Sequence, residues 1–244
     1  MPAGKLPRKG NKSGSAAEGP GSAPPSYPSA DDQRRQLISQ YLESKPKGAD
    51  PEFTPEERRA ADEFLARSAR NEPAITDRMR DIADGTGARL EGLDFRLKGK
   101  SSFDRKFNDV LDEHDGNIDA ARADMKDAVR YTMIFEEDNY VDGVSRAESM
   151  MKDKGFEPVK WKNLWNGEGY NGVNSFWRDP ETGQVFEAQF HTQSSFDVKM
   201  AEHEAYEVAR DGDAPAALQR TATELANEAF ATIPKPSGFE SLDR

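Results

Sequence analysis

The chain has 244 residues, 35% of them hydrophobic and 32% charged, with a formal net charge of −11 and no cysteine. That length can bury a real core, while the acidic balance argues against general binding to nucleic-acid backbone, which needs a large local excess of Lys and Arg. The lack of cysteine excludes disulfides, thiolate catalysis and Cys-ligated zinc, and no apolar run approaches the roughly 18 residues of a membrane span or the apolar stretch of a signal peptide.

A cytoplasmic site of action with no membrane partner is therefore expected; delivery as an effector by a dedicated secretion machine would leave no such mark. Residues 1–30 are rich in Pro, Gly and Ser, and Lys5, Arg8, Lys9 and Lys12 outnumber Glu18, so a basic disordered tail or linker precedes an acidic body. From Asp31 onward, Leu37, Ile38, Tyr41 and Leu42 form a helical apolar stripe that Pro46 and Gly48 stop. Thr54-Pro55-Glu56-Glu57 supplies a capping hydroxyl, a first-turn proline and a Glu three residues after the cap, predicting a helix to about Arg70. Another helix is predicted over 73–84, ending at Gly85.

Residues 93–97 then read as a short strand, 103–111 and 118–125 as helices, and 129–135 as a half-buried strand. A helix over 140–154 closes at Gly155, residues 156–161 return as a strand, and 165–172 form a loop. Strands over 173–178 and 185–190 flank Asp179-Pro180-Glu181-Thr182-Gly183 as a β-hairpin, and helices over 194–210 and 215–230 finish the body. The expected class is α/β or α+β, a mixed β-sheet of about five strands flanked by helices. The predicted organisation is one domain over 31–234, with N-terminal helices over 31–85, a core over 90–210, a C-terminal helix over 211–230, and a flexible tail over 235–244.

Four groups of residues could carry chemistry. Arg96-x-Lys98-x-x-x-Ser102-x-x-x-Lys106 brings three cations and a hydroxyl to a strand–helix junction, whose free N–H groups favour phosphate oxygens; a solvated charged surface would read the same way. Asp127 and Arg130, with Asp124 upstream, stand at the start of the alternating strand, where a carboxylate can hold Mg²⁺ and an Arg can stack on a purine; an Asp–Arg ion pair is the plainer reading. Period-2 alternation turns Phe186, Ala188 and Phe190 to the core and Glu187, Gln189 and His191 to the other face, which an exposed polar face would also explain. The stretch from Lys162 to Asn174 contains Gly167, Gly169, Tyr170 and Gly172, which suit close approach of backbone and a flat ring to a base, or equally a tight turn.

In this order the four groups resemble the synthetase domain of the RelA/SpoT alarmone family, including its small stand-alone and toxin members. Arg96, Lys98, Ser102 and Lys106 match that family's Arg-x-Lys-x-x-x-Ser-x-x-x-Lys motif without a gap. Asp127 with Arg130, Gly169-Tyr170 with Asn174, Glu187 with Gln189, and a later helix with His203 follow its pattern over roughly residues 75–210. The departures fall on the metal and acceptor side. The family's Asp stands five residues before its Arg, so either Asp124 or Asp127 could be the ligand; Asn174 replaces a frequent His, His191 a frequent Arg, and Leu164 to Glu168 is an extra stretch.

The resemblance implies a nucleotidyltransferase-like fold and a Mg²⁺-dependent diphosphotransferase. It would move the terminal pyrophosphate of ATP to the 3′-hydroxyl of a purine nucleotide, adenine being as plausible as guanine. It further implies that Arg96 and Arg130 sandwich the ATP adenine and that Lys98, Ser102 and Lys106 hold its phosphates. Asp127 and Glu187 would bind Mg²⁺, with Glu187 also taking the 3′-hydroxyl proton. Tyr170 would stack on the acceptor base, with Lys162, Asn174, Gln189 and His191 orienting its sugar and phosphates.

Competing expectations are the same chemistry on the CCA end of tRNA, aided by the basic arm, and a non-catalytic nucleotide-binding interaction module. An ADP-ribosyltransferase is disfavoured because Val185 stands where that fold wants Glu or Gln before its catalytic Glu. Since unopposed synthesis drains ATP, an antitoxin or immunity protein is an expected partner if activity is high.

Overall fold

The computed structural model describes residues 29–45, 51–167 and 169–244. The tail predicted for residues 1–30 lies outside them up to residue 28. Helix α1 (Ala30–Ser44) starts at a capping box between Ser29 and Asp32. Helix α2 (Pro55–Thr86) starts at the predicted box between Thr54 and Glu57 and ends at Gly87, whose φ of 74° is the left-handed conformation glycine tolerates. Two helices expected over 54–84 are thus one, with Pro73 in its interior. Ala60, Ala61 and Phe64 before Pro73 and Ile75, Met79 and Ile82 after it are all buried. Packing along both halves therefore outweighs the lost N–H and the local clash of the ring.

Among the described residues five strands form one mixed sheet: β1 (Arg89–Glu91), β2 (Arg130–Phe135), β3 (Glu157–Asn163), β4 (Val173–Arg178) and β5 (Val185–Thr192), in spatial order β1-β2-β5-β4-β3. Only the central β2–β5 pair is parallel; the other neighbours are antiparallel. The strand expected over 93–97 is instead a 3-10 turn over Leu93–Phe95 followed by a single bridge between Leu97 and Val129. Gly92, at φ 67°, ends β1 and turns the chain out of the sheet, so 89–91 is the edge strand.

The remaining helices are α3 (Lys100–Glu113), α4 (Ile118–Asp124), α5 (Tyr140–Asp153), α6 (Gln193–Ala201), α7 (His203–Ala209) and α8 (Ala216–Ala231). The single helix expected over 194–210 breaks at Glu202, a buried carboxylate bound by the Arg35 guanidinium of α1. One sheet face, with Tyr131, Met133, Phe135, Phe186, Ala188 and Phe190, packs on the second half of α2 and on α5. The first half of α2 holds Phe103 and Phe107 of α3 through Phe64, and so fixes where α3 begins beside β2.

The expected flexible tail over 235–244 is docked. Phe239 and Leu242 are buried in the main core. Trp161 Nε1 donates to the Leu242 carbonyl at 2.7 Å, and Asn163 Nδ2 to that of Phe239 at 2.9 Å. Two large apolar side chains in an otherwise polar end explain the difference. Among the described residues no helix is long and apolar enough to cross a membrane.

Candidate active site

The strand register assembles the polar sheet face. Arg130 stands opposite Glu187 across β2–β5, and Lys162, Asn174, Gln189 and Thr132 form one row across β3, β4, β5 and β2. The predicted alternation along β5 thus delivers Glu187 and Gln189 to the same face as Arg130. Arg130 Nε lies 3.6 Å from Glu187 Oε2, and Gln189 Nε2 donates to Glu187 Oε1 at 2.9 Å.

At the start of β2, Asp127 faces two lysines. Lys98 Nζ is 3.3 Å from Asp127 Oδ2 and Lys106 Nζ 2.7 Å from Oδ1. Lys98 arrives because its backbone N–H bonds the Ala128 carbonyl, and Lys106 because α3 is packed in place by Phe103 and Phe107. Burial pushes the Asp127 carboxyl up, but Lys98 and then Lys106 outweigh it and hold it below its ordinary value. Burial lowers the Lys98 amine against the pull of Asp127. Of the two candidate carboxylates Asp127 is the one at this cluster; Asp124 is exposed at the end of α4, where His114 Nε2 and Lys126 Nζ lie 2.7 and 2.8 Å from it. Ser102 is on the exposed first turn of α3, one turn before Lys106, and its Oγ accepts from Arg105 Nη2 at 3.3 Å.

Arg96 is anchored from behind. Its Nε donates to Glu72 of α2 and its Nη1 to the Leu93 carbonyl at 2.5 Å, while its own carbonyl accepts the Arg130 N–H at 2.7 Å. Glu72 is buried and also takes the Thr76 hydroxyl, itself 2.8 Å from Tyr131 Oη. Sequence reasoning missed Glu72 because it lies on the helix interior far upstream of the motif it serves.

Around the residues expected on the acceptor side, Trp165 is fully buried and donates to Tyr140 Oη at 3.0 Å, pinning the loop between β3 and β4 to the core. Gly172 approaches β5 so closely that a Cβ would sit 2.8 Å from the Phe190 carbonyl oxygen. Tyr170 is half-buried, and its Oη donates to Asn174 Oδ1 at 3.0 Å and lies 2.6 Å from His191 Nε2. His191, expected against the acceptor's sugar and phosphates, is fully buried, with Nδ1 2.9 Å from Ser195 Oγ. Both ring nitrogens are engaged and burial pushes the imidazole well below its ordinary pKa, so His191 acts as a neutral prop for Tyr170 and meets no surface a ligand could reach. Lys162 is exposed on the edge strand, one residue from Trp161 and Asn163.

Lys199, from α6, was also missed. Its Nζ donates to Gln189 Oε1 at 2.6 Å, and burial lowers its pKa to about 8. It is ten residues beyond Gln189, and nothing in the pattern of α6 separates it from an ordinary surface lysine.

Among the described residues no cluster of three or more His, Asp or Glu side chains could hold a metal ion by itself. The donor set available is Asp127 and Glu187, and Asp127 Oδ1 is buried with no directed hydrogen bond, only its ionic contact with Lys106. Two carboxylates beside lysine and arginine side chains are a donor set that fits Mg²⁺, which commonly takes one or two carboxylates together with phosphates.

No protein-family model and no curated protein sequence matches the chain. Solved structures do. The chain is similar to the type VI effector Tas1, solved in complex with its immunity protein, at 17% identity and a TM-score of 0.47, over 72% of this chain and 98% of that one. It is similar to a GTP pyrophosphokinase family protein from Streptococcus pneumoniae at 14% identity and a TM-score of 0.48, over 73% and 90% of the two chains. Small alarmone synthetase 1 from Bacillus subtilis matches at 14% identity and a TM-score of 0.49, over 69% of this chain and 89% of that one.

Proposed function

We propose that the chain is an ATP-dependent nucleotide 3′-pyrophosphokinase, transferring the β,γ-pyrophosphate of ATP to the 3′-hydroxyl of a purine nucleotide and releasing AMP. The acceptor oxygen forms a bond to the β-phosphorus, the bond from that phosphorus to the bridging α,β-oxygen breaks, and AMP keeps that oxygen. The observation that carries this reading is the convergence at the start of β2. Lys98 and Lys106 meet at Asp127, while Arg130 faces Glu187 across the central strand pair. Cations and carboxylates from elements far apart in sequence thus share one end of the sheet, as a triphosphate and its counter-charge require.

In this reading Lys98, Ser102 and Lys106 hold the ATP phosphates, and Arg96 and Arg130 flank the adenine. With the phosphates taking over the lysines, Asp127 and Glu187 would be the residues to hold Mg²⁺, which would supply neutralisation of charge on the transferred group. Glu187 accepts the 3′-hydroxyl proton. Tyr170 supports the acceptor base, held by Asn174 and His191, and Lys162, Asn174 and Gln189 face the acceptor from one row of the sheet.

The test is incubation of the protein with ATP and Mg²⁺ together with ATP, ADP, GTP, GDP or deacylated tRNA, followed by chromatography. AMP appearing in step with a 3′-pyrophosphorylated nucleotide supports the reading. Label on tRNA alone moves the acceptor to the CCA end, and no AMP with any acceptor overturns it. Growth arrest on expression, relieved by a co-expressed neutralising protein, is the expected cellular counterpart of high activity.

A further inference from the structure

We infer that Lys199 is a positioning residue that fixes the Gln189 amide so that its NH₂ points at Glu187. The role rests on the pyrophosphokinase reading for its catalytic consequence and on geometry alone for its existence. Lys199 Nζ stands 2.6 Å from one end of the Gln189 amide and Glu187 Oε1 2.9 Å from the other. An ammonium group has only donors and a carboxylate only acceptors, so the amide has one orientation that satisfies both, with Oε1 toward Lys199 and Nε2 toward Glu187. Thr132 Oγ1, donating to the same Oε1 from β2 at 3.4 Å, favours the same choice.

Glu187 is thereby held from two sides. The Gln189 amide occupies Oε1 and the Arg130 guanidinium lies nearest Oε2. A carboxylate that must take a proton from an attacking hydroxyl gains from such fixed orientation, because reorganisation is removed from the reaction itself. Neither Thr132 nor the neutral His191 can replace the cation on this stretch of the face, and Lys199 supplies it from a different element, α6.

The test compares Lys199→Met, which keeps the stem and loses the donor, with Lys199→Arg, which keeps donor and charge. In the nitrogen-15-labelled, ligand-free protein the Gln189 side-chain amide protons should exchange about tenfold faster in Lys199→Met than in wild type, with Lys199→Arg close to wild type. With ATP, Mg²⁺ and the best purine acceptor, Lys199→Met should lower kcat about tenfold or more with the KM for ATP within about twofold, and Lys199→Arg should restore most of kcat. Wild-type amide exchange in Lys199→Met overturns the inference, as does a wild-type kcat in an active enzyme. Absence of turnover in the wild type removes the pyrophosphokinase reading, while the amide signals still decide whether Lys199 orients Gln189.

Discussion

Arg130 and Glu187 face one another in register across the parallel β2–β5 pair, with Arg130 Nε 3.6 Å from Glu187 Oε2. In the proposed reaction this pairing would put the proton acceptor beside a cation of the ATP half of the site, so that one contact would join the two halves. Glu187→Gln keeps the shape and the neighbours but removes the basic oxygen. AMP formation is expected to fall by roughly 10²–10⁴-fold, the usual reach of a general base, with a cooperative thermal transition near that of wild type. Wild-type rates in this variant would refute the assignment of Glu187.

Asp127 predicts an acid-side signature. Burial alone would raise its carboxyl, yet Lys98 and Lys106 hold it below the ordinary value of 3.8. Its folded-state pKa is therefore depressed, so the unfolded chain binds more protons through this window. The stabilisation is present above about 4 and is lost as pH falls through the folded value. Asp127→Asn should be less stable than wild type at neutral pH, because Lys98 and Lys106 then face each other without a counter-charge. The gap should narrow as pH is lowered below about 4. Urea unfolding at graded pH measures both, and a gap that stays constant with pH would show that Asp127 does not contribute through its charge.

Lys199 predicts an alkaline limb in the rate. Burial lowers its pKa to about 8, with Arg130 pushing the same way and Glu187 opposing. Above that pH the amine loses its proton and with it the ion-strengthened hold on Gln189. The kcat of wild type should decline above about pH 8, and Lys199→Arg, whose guanidinium stays charged, should remain flat to higher pH. Identical alkaline profiles for the two would assign the limb to another group.

Elements with a strong local signal were legible in the sequence. Both the Thr54–Glu57 capping box and the alternation that sends Glu187 and Gln189 to one face are dictated by neighbouring residues, and the structure shows both. What failed were decisions made by tertiary packing. Pro73 reads as a helix boundary, but the buried stripe on either side carries α2 through it. Residues 93–97 alternate like a strand, but Gly92 turns the chain and leaves one bridge at Leu97. His191 sits at a position of the alternating pattern that reads as solvent-facing, and α6 closes over it. Glu72 and Lys199 reach the site from helices whose sequence gives no hint of that face, and only the packing of α2 and α6 on the sheet reveals them.

The docked C-terminal segment is expected to bear on acceptor binding as well as on stability. Phe239 and Leu242 are buried in the main core, and the carbonyls of these residues accept hydrogen bonds from Asn163 and Trp161 of β3. Lys162, between those two, carries the edge of the row that faces the proposed acceptor. Ending the chain at Lys235 removes two large apolar side chains, each worth about 1.5–3 kcal/mol on burial, so a loss of roughly 3–6 kcal/mol is expected in denaturant unfolding. The same truncation frees β3 without touching Lys98, Lys106 or Asp127. The KM for the acceptor nucleotide should therefore rise by about tenfold or more, while the KM for ATP changes little. A truncated chain as stable as the full one, with both KM values unchanged, would show that the segment merely lies against the sheet and that β3 holds its place without it.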